Sequence, residues 1–305
     1  MNTNQINNPL WTAMITPLTA SGEPDLSSME QLLREQEQAG NGILILGSTG
    51  EALNLDESER KQIVELTMSL DLAVPVMVGV GGHHLPGIIS WLSWLETKKV
   101  DAYLMVTPLY AKPGPEGQFH WFKTLMDSAS RPVMLYNIPS RTGIALHLDT
   151  VRRLSSHRNF WAIKEAGGTV SGFREYVSAA GSGVVYSGDD ALLPDYVSHG
   201  VAGVVSVAGN VWPEAARRYS ELALSGELTD KELAFWKKAC QSLFIASNPV
   251  PAKAVLCTEG RIRTPEVKMP LHKNDMTGID RVLRISQQVT AWNRKRSQSG
   301  VTAGC

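Results

Sequence analysis

Residues 160–168 read FWAIKEAGG, a short apolar run that ends on Lys164 and is followed by small residues. The stretch at 132–143, PVMLYNIPSRTG, repeats this arrangement, with Tyr136 closing its apolar run. Short continuous apolar runs that stop at turn-forming residues are typical of the buried strands of a parallel sheet. Because the carboxyl ends of such strands meet at one edge, we expect the Lys164 amine and the Tyr136 phenol to be neighbours.

Six further runs of the same kind extend the pattern along the chain. The eight runs are Trp11–Ile15, Gly42–Leu46, Val74–Val80, Ala102–Val106, Pro132–Tyr136, Phe160–Lys164, Val184–Ser187 and Ala202–Val207. Helical patterns lie between most of them, and eight strands alternating with helices predict a (β/α)8 TIM barrel. The competing fold, a doubly wound open sheet, usually has a glycine-rich turn after its first strand, where this chain has Thr16-Pro17-Leu18.

From about Trp212 onward the sequence predicts helices alone. We expect a catalytic barrel domain at residues 1–225, a C-terminal helical extension at 226–293 and a disordered tail at 294–305. The tail contains the basic residues Arg294–Arg296 among serines and glycines, a composition typical of solvated chain ends.

Three helix starts are predicted from their capping residues. Ser27 with Glu30, and Thr229 with Glu232, form capping boxes, in which a hydroxyl and a carboxylate satisfy reciprocal backbone N–H groups. Asp56 opens another helix in the same way, with acidic residues placed against the positive end of the helix.

Composition narrows the class of protein. The 305 residues include 29 Lys and Arg against 30 Asp and Glu, so we expect no basic face for nucleic-acid phosphates. The chain has no run of about 18 apolar residues, the length that a bilayer-spanning helix needs. The Asn-rich start Met1–Pro9 does not resemble a signal peptide. The three cysteines fit neither a metal site nor a disulfide framework. We therefore expect a cytoplasmic protein with no nucleic-acid or membrane partner.

Barrels of this type carry their chemistry on the residues that follow each strand. Those residues are Thr16, Gly47–Glu51, Thr107–Tyr110, Tyr136–Gly143, Lys164, Ser187–Asp190 and Ser206. They supply an amine, phenols, hydroxyls and a guanidinium but no histidine cluster, so we expect no metal ion. Burial lowers the pKa of a lysine towards about 7 or 8, where the free amine attacks a carbonyl. The set therefore suits Schiff-base chemistry, with a phenol moving protons and hydroxyls holding a carboxylate.

Each of these residues also has an ordinary structural interpretation. Lys164 could pair with Glu165, and Tyr110 could be a surface aromatic. The pair Asp189-Asp190 suits a helix cap better than a catalytic carboxylate pair. The turn GSTG at 47–50 could be a tight turn, and it is not a phosphate loop because no Gly-Lys-Ser/Thr follows. Their joint placement at matching positions of a repeating unit favours a shared site.

Four motifs make the chain resemble the dihydrodipicolinate synthase / N-acetylneuraminate lyase family of lysine-dependent aldolases. They are GSTGE at 47–51, TPLYAKP at 107–113, YNIPSRTG at 136–143 and IKEAGG at 163–168, supported by SGDD at 187–190 and GVVSV at 203–207. The resemblance covers most of the chain. It implies a (β/α)8 barrel with a helical extension, a homo-oligomer (tetramer or dimer) and a reaction that uses no cofactor.

The resemblance also implies roles for individual residues. Lys164 would form an imine with pyruvate, and Tyr136 would donate and accept protons over that imine. Ser48 and Tyr110 would complete a hydroxyl relay to solvent, with Tyr110 reaching into the site of the neighbouring subunit. Thr49, with its own and adjacent backbone amides, would hold the carboxylate of pyruvate.

Three further residues concern the substrates. Gly188 and Val205 would contribute backbone groups around the ketoacid. Arg141 matches the residue that grips the second carboxylate in the synthases by a bidentate pair, whereas the sialic acid lyases lack it. We therefore expect pyruvate and aspartate semialdehyde as substrates, condensed to 4-hydroxy-tetrahydrodipicolinate in lysine and diaminopimelate biosynthesis. The alternatives are a lyase of the same mechanism acting on another 2-keto acid, and a non-catalytic barrel that binds a ketoacid.

One departure from the family pattern concerns regulation. Many synthases of the family are inhibited by lysine, which binds in a polar cleft at the dimer interface. Here the segment that follows the Gly-Glu turn is shortened to Ala52–Leu55. The counterparts of the other cleft residues are His83, Gly87 and Leu109. We expect weak or absent inhibition by lysine.

Overall fold

Eight parallel strands form a closed barrel in the computed structural model, which describes residues 6–301. Each strand pairs with the next one, and the eighth pairs with the first. The strands are β1 (Leu10–Ala13), β2 (Gly42–Ile45), β3 (Val76–Val80), β4 (Ala102–Val106), β5 (Val133–Asn137), β6 (Phe160–Glu165), β7 (Val184–Ser187) and β8 (Val201–Ser206). The predicted (β/α)8 barrel is confirmed, and all strand bounds lie within two residues of the apolar runs.

Helices connect the strands and surround the barrel. The barrel helices are α1 (Leu26–Gln38), α2 (Glu57–Ser69), α3 (Leu85–Leu95), α4 (Pro115–Asp127), α5 (Pro139–Thr142), α6 (Leu148–Leu154), α7 (Val170–Ala179), α8 (Leu193–Tyr196), α9 (Ala208–Val211) and α10 (Pro213–Leu224). The extension contributes α11 (Asp230–Ser242), α12 (Val250–Thr258) and α13 (Ile279–Val301). Short 3-10 turns lie at Ala52–Asn54, Asp190–Leu192, Val197–His199 and Lys273–Asp275.

The strands are mostly apolar because both of their faces are covered. Consecutive residues belong to different packing clusters: Leu44 and Met134 lie inside the barrel, whereas Ile43 and Leu135 pack against the helices. This alternation is the two-residue period of a strand. It also decides which side chains at the strand ends point into the barrel.

The capping predictions were right at two helices and wrong at one. Asp56 and Thr229 form capping boxes with Glu59 and Glu232. At α1 the predicted Ser27–Glu30 box is wrong, because the helix begins at Leu26 and Asp25 is its cap. The Asp25 carboxylate accepts hydrogen bonds from the Ser28 N–H (3.2 Å) and the Ser28 hydroxyl (2.7 Å). Ser27 therefore already lies inside the first turn.

The predicted disordered tail at 294–305 is wrong for the residues up to Val301, which continue α13. Arg296 on α13 forms an ion pair with Glu232 on α11, so this residue of the basic cluster is anchored to the extension. Trp292, one turn earlier, meets Trp236 edge-on with ring centres 5.0 Å apart. Residues 302–305 lie outside the described residues.

Within residues 6–301, we find no helix with the length and apolar character that a transmembrane segment needs. The division between barrel and extension at residue 225 stays a prediction.

Candidate active site

A cavity of about 270 Å³ opens at the carboxyl ends of β2, β3, β4 and β5. Its apolar wall consists of Leu46, Gly47, Ala52, Leu53, Gly79, Val80, Gly81, Leu104, Val106, Leu109 and Ile138. Four polar side chains complete it: Ser48, Arg60, Tyr136 and Arg141. Apolar walls with a few polar groups are usual for sites that bind small molecules.

Lys164 and Tyr136 form a pair at this site, in which Tyr136 lines the cavity and Lys164 lies against its ring. They are opposite each other in the register of β6 and β5, and the lysine Nζ lies 4.2 Å from the centre of the phenol ring. Both side chains are buried, at 5% and 4% exposure. The structure therefore brings together the amine and the phenol that the two apolar runs predicted as neighbours.

Burial shifts the pKa of both groups. It lowers the pKa of Lys164 to about 7, an effect opposed by the Asp190 carboxylate and increased by the Arg141 charge. It raises the pKa of Tyr136 to about 12, opposed by the Arg141 charge and by a hydrogen bond with Ser48. At neutral pH about half of the lysine is thus a free amine, while the tyrosine keeps its proton.

The next residues along these two strands form a second pair that faces away from the barrel interior. The Asn137 Nδ2 donates to a Glu165 carboxylate oxygen at 2.6 Å, and the other oxygen accepts from the Gly167 N–H at 2.7 Å. Glu165 is therefore engaged elsewhere, and the alternative interpretation in which it pairs with Lys164 is wrong. The physical reason is the alternation of side chains along β6.

The loop after β2 carries two hydroxyls, and one of them, on Ser48, lines the cavity. Ser48 is exposed to the cavity and bonds with Tyr136. Thr49 is buried, and its Oγ1 accepts a hydrogen bond from the Asn248 Nδ2 at 2.9 Å. The Thr16 hydroxyl, at the end of β1, donates to the Gly50 carbonyl at 2.7 Å and ties the loop to the barrel.

Arg141 lies on the short helix α5, which begins at Pro139 and ends at Gly143 with a φ of 73°. Its Nη2 is 3.5 Å from the Asn248 carbonyl. Within residues 6–298, no acidic side chain forms an ion pair with Arg141. The guanidinium therefore lines the cavity with hydrogen-bonding capacity to spare for an anion.

Gly188 lies beside Lys164, and Val205 lies on β8. The Gly188 N–H donates to the Glu165 carbonyl at 2.7 Å, and a Cβ at this position would lie 3.1 Å from the Lys164 Cε. Glycine therefore leaves room for the lysine side chain. Val205 is buried inside the barrel on β8, in register with Trp11 of β1.

Tyr110 does not line the cavity, in contrast to the predicted site residues Ser48, Tyr136 and Arg141. Tyr110 is 95% exposed, and its φ of 66° lies in the left-handed region. The preceding residue, Leu109, lines the cavity instead. Within one chain, the phenol of Tyr110 points to the surrounding solvent.

The two aspartates after β7 act as caps, as the sequence favoured. Asp189 accepts from the Ala191 N–H at 2.8 Å. The buried Asp190 accepts from the N–H groups of Val207 and Ala208, at the start of α9. Within residues 6–301, no cluster of three or more His, Cys, Asp or Glu side chains is placed to hold a metal ion.

Sequence reasoning missed two residues of the helical extension that contact the site. Asn248 contacts both Thr49 and Arg141, and Lys253 on α12 forms a buried ion pair with Glu51. A signal for each was present: Asn248 opens an Asn-Pro-Val-Pro turn, and Lys253 is a lone charge in the apolar helix VPAKAVLC. Neither signal says which part of the barrel the residue contacts.

The fold and the site define a (β/α)8-barrel protein whose reactive groups converge at the carboxyl ends of the strands. The sequence profile of the dihydrodipicolinate synthetase family matches residues 7–288. The chain belongs to this family, and the resemblance seen in its motifs is confirmed.

Individual relatives agree with this assignment. The 4-hydroxy-tetrahydrodipicolinate synthase of Francisella philomiragia is 44% identical over 287 residues, which cover 94% of this chain and 97% of the relative. The dihydrodipicolinate synthase of Acinetobacter baumannii, solved in complex with pyruvate, is 30% identical with a TM-score of 0.86, covering 92% and 99% of the two chains. The enzyme from Cyanidioschyzon merolae, solved with lysine bound, is 29% identical with a TM-score of 0.85, covering 94% and 99%.

Proposed function

We propose that this protein is a class I aldolase that condenses pyruvate with aspartate semialdehyde to 4-hydroxy-tetrahydrodipicolinate and water. One observation carries the proposal: a buried lysine amine with a pKa of about 7 lies against a buried phenol at the strand ends. Family membership and the name of the Francisella relative support this choice of reaction. The product belongs to lysine and diaminopimelate biosynthesis.

The first half of the reaction activates pyruvate. The free Lys164 amine attacks the ketone carbon, and Tyr136 delivers the proton that lets the carbinolamine lose its hydroxyl as water. The resulting protonated imine draws electrons from the methyl carbon, which loses a proton and becomes a nucleophilic enamine. Ser48, bonded with Tyr136, passes protons between the phenol and the cavity.

The second half forms the carbon–carbon bond. The enamine carbon attacks the aldehyde carbon of the second substrate, whose oxygen takes up a proton. The amine of that substrate then attacks the imine carbon, closes the ring and releases Lys164 as a free amine. Water from the first half and one proton from the ammonium group of the second substrate are lost overall, so atoms and charges balance.

Charged ends of the substrates match groups in the cavity. The Thr49 hydroxyl accepts from Asn248 and keeps its own proton to donate to the pyruvate carboxylate. The Gly188 N–H donates to the Glu165 carbonyl, and Gly188 and Val205 contribute backbone groups around the ketoacid. Arg141 binds the carboxylate of aspartate semialdehyde by a bidentate pair.

The choice of second substrate is tested with Arg141→Ala. We expect a rise of about 10-fold or more in the KM for aspartate semialdehyde, from loss of a charge-assisted pair, with little change in the KM for pyruvate. The matched control is Arg60→Ala, which removes the other arginine of the cavity wall, held over the Trp91 ring at 4.9 Å. Equal loss of affinity for both substrates would make Arg141 an organiser of the whole site and remove this argument for a synthase.

A substrate panel separates the proposed reaction from its alternatives. Turnover of pyruvate with aspartate semialdehyde, and not with longer polyhydroxylated aldehydes, is expected. Cleavage of N-acetylneuraminate or of another 2-keto acid would favour a lyase of the same mechanism. Pyruvate binding without turnover would favour the non-catalytic barrel.

We also propose a homo-oligomer, dimer or tetramer, in which Tyr110 completes the hydroxyl relay of a neighbouring subunit. Its support is the exposure of Tyr110 and Leu53 beside the cavity, together with the family resemblance. The cytoplasm is the compartment we propose, in keeping with the free thiols of Cys240 and Cys257. Cys305 lies outside the described residues.

A further inference from the structure

A buried ion pair joins the loop after β2 to the helical extension. The Lys253 Nζ on α12 lies 2.5 Å from a Glu51 carboxylate oxygen, and the two side chains are 0% and 1% exposed. Both partners are otherwise satisfied: Lys253 also donates to the Glu266 carbonyl at 2.7 Å, and the second Glu51 oxygen accepts from the Lys268 N–H at 2.6 Å. A buried charge whose partner is removed is left uncompensated, so each residue depends on the other.

Glu51 has an unusual backbone for a residue with a side chain. Its φ of 56° lies in the left-handed region, where the Cβ is sterically disfavoured. Such a conformation persists only where surrounding contacts hold it in place. The contacts that do so here come from the extension, through Lys253 and Lys268.

The loop held in this way carries two residues of the proposed reaction. Ser48 and Thr49 precede Glu51 by three and two positions, and the Glu51 N–H donates to the Ser48 carbonyl at 3.1 Å. Asn248, just before α12, fixes the Thr49 hydroxyl. Residues at and just before the start of α12 thus contact the loop at two points, Thr49 and Glu51.

We propose that Lys253 and Glu51 are positioning residues for pyruvate: their ion pair holds the loop so that Ser48 and Thr49 meet the ketoacid. This inference rests on the proposed function. It assigns the extension a task in the first half of the reaction, whereas Arg141, on α5, serves the second substrate. The two substrates should therefore respond differently when the pair is broken.

The test compares kcat/KM for pyruvate and for aspartate semialdehyde in Lys253→Met and Glu51→Gln. We expect kcat/KM for pyruvate to fall about 10-fold or more, because small misplacements of binding groups are costly in rate. The value for aspartate semialdehyde should change less than about 3-fold. Trapping of pyruvate on Lys164 with borohydride should slow in parallel, since it reports the first half alone. The double variant Glu51→Gln/Lys253→Met leaves no unpaired buried charge and should recover part of the loss.

The control is Arg296→Met, which breaks the ion pair with Glu232 in the same extension but far from the loop. It should lower thermal stability without changing either kcat/KM value. Unchanged pyruvate kinetics in both folded test variants, equal loss for both substrates, or failure of both variants to fold would overturn the positioning role. Absence of turnover and of pyruvate trapping in the wild-type protein would overturn the proposed function itself.

Discussion

The centre and the rim of the cavity are built in different ways. At the centre, Lys164 and Tyr136 are buried and held opposite each other by the register of two adjacent strands. At the rim, Tyr110 and Leu53 are exposed at 95% and 56%, on connections whose backbone includes left-handed residues. Strand pairing thus fixes the positions of the amine and the phenol within one chain. The exposed residues around the entrance have no such fixed partners within residues 6–298. Changes at the centre should therefore act on chemistry, and differences at the rim on regulation.

The largest effect is expected from Lys164→Arg. A guanidinium stays protonated and cannot attack a ketone, so turnover should fall by about 10⁴-fold or more, the scale for loss of a nucleophile. Steady-state assays measure this loss. Borohydride reduction with pyruvate, followed by peptide mass analysis, should place the adduct of the wild-type protein on Lys164. An adduct on another lysine, or none, would sink the Schiff-base proposal.

Tyr136→Phe should keep the fold and lower kcat by about 10²-fold, the usual scale for a positioned general acid–base. The matched control is Tyr103→Phe, since Tyr103 is also a buried tyrosine but donates to Glu96 outside the cavity. Tyr103→Phe should retain the wild-type kcat. Steady-state assays measure the rates, and circular dichroism spectra check that both variants are folded. A wild-type rate for Tyr136→Phe would remove the phenol from the mechanism.

The pH dependence of pyruvate trapping should follow the lowered pKa of Lys164. Below its pKa of about 7 the amine is protonated, so the rate should drop about tenfold per pH unit, and above it the rate should level off. A lysine with its ordinary pKa of 10.5 would instead keep gaining rate up to about pH 10. Because the Arg141 charge adds to the lowering, Arg141→Ala should move the midpoint to higher pH. A midpoint near 10 in the wild-type protein would contradict the role of burial.

The smallest effect is expected at the rim, from added lysine. Ala52 and Leu109 line the cavity with carbon, and Leu53 lies exposed beside them. The ammonium group of an amino acid would lose hydration there without a carboxylate partner, so we expect weak or absent inhibition. A lysine titration of the steady-state rate measures it. Half-inhibition below about 1 mM, or about −4 kcal/mol of binding, would show that a polar cleft is intact.

The sequence was sufficient for the features that depend on local pattern. Apolar runs located all eight strands within two residues, because strands covered on both faces need apolar residues at most positions. The repeat of strand and helix then predicted that the ends of β5 and β6 meet, which brought Tyr136 and Lys164 together. The family resemblance, now confirmed, added the expected reaction.

The features that the sequence did not predict depend on contacts between distant parts of the chain. Asn248 reaches Thr49 across 199 positions, and Lys253 reaches Glu51 across 202. The tail interpretation failed for the same reason, because Glu232 anchors Arg296 from another helix. Tyr110 could not be placed either, since nothing within one chain holds an exposed side chain on a connection. Local composition carries no record of such partners.

The register of β5 and β6 limits how the length of this chain can change. Tyr136 faces Lys164 inside the barrel, and the next pair, Asn137 and Glu165, faces outward. Insertion or deletion of one residue within β6 would turn the carboxylate inward and the amine towards the helices, exchanging a nucleophile for an acid. We therefore expect length variation to be tolerated in the connections and not within the strands that carry the reaction.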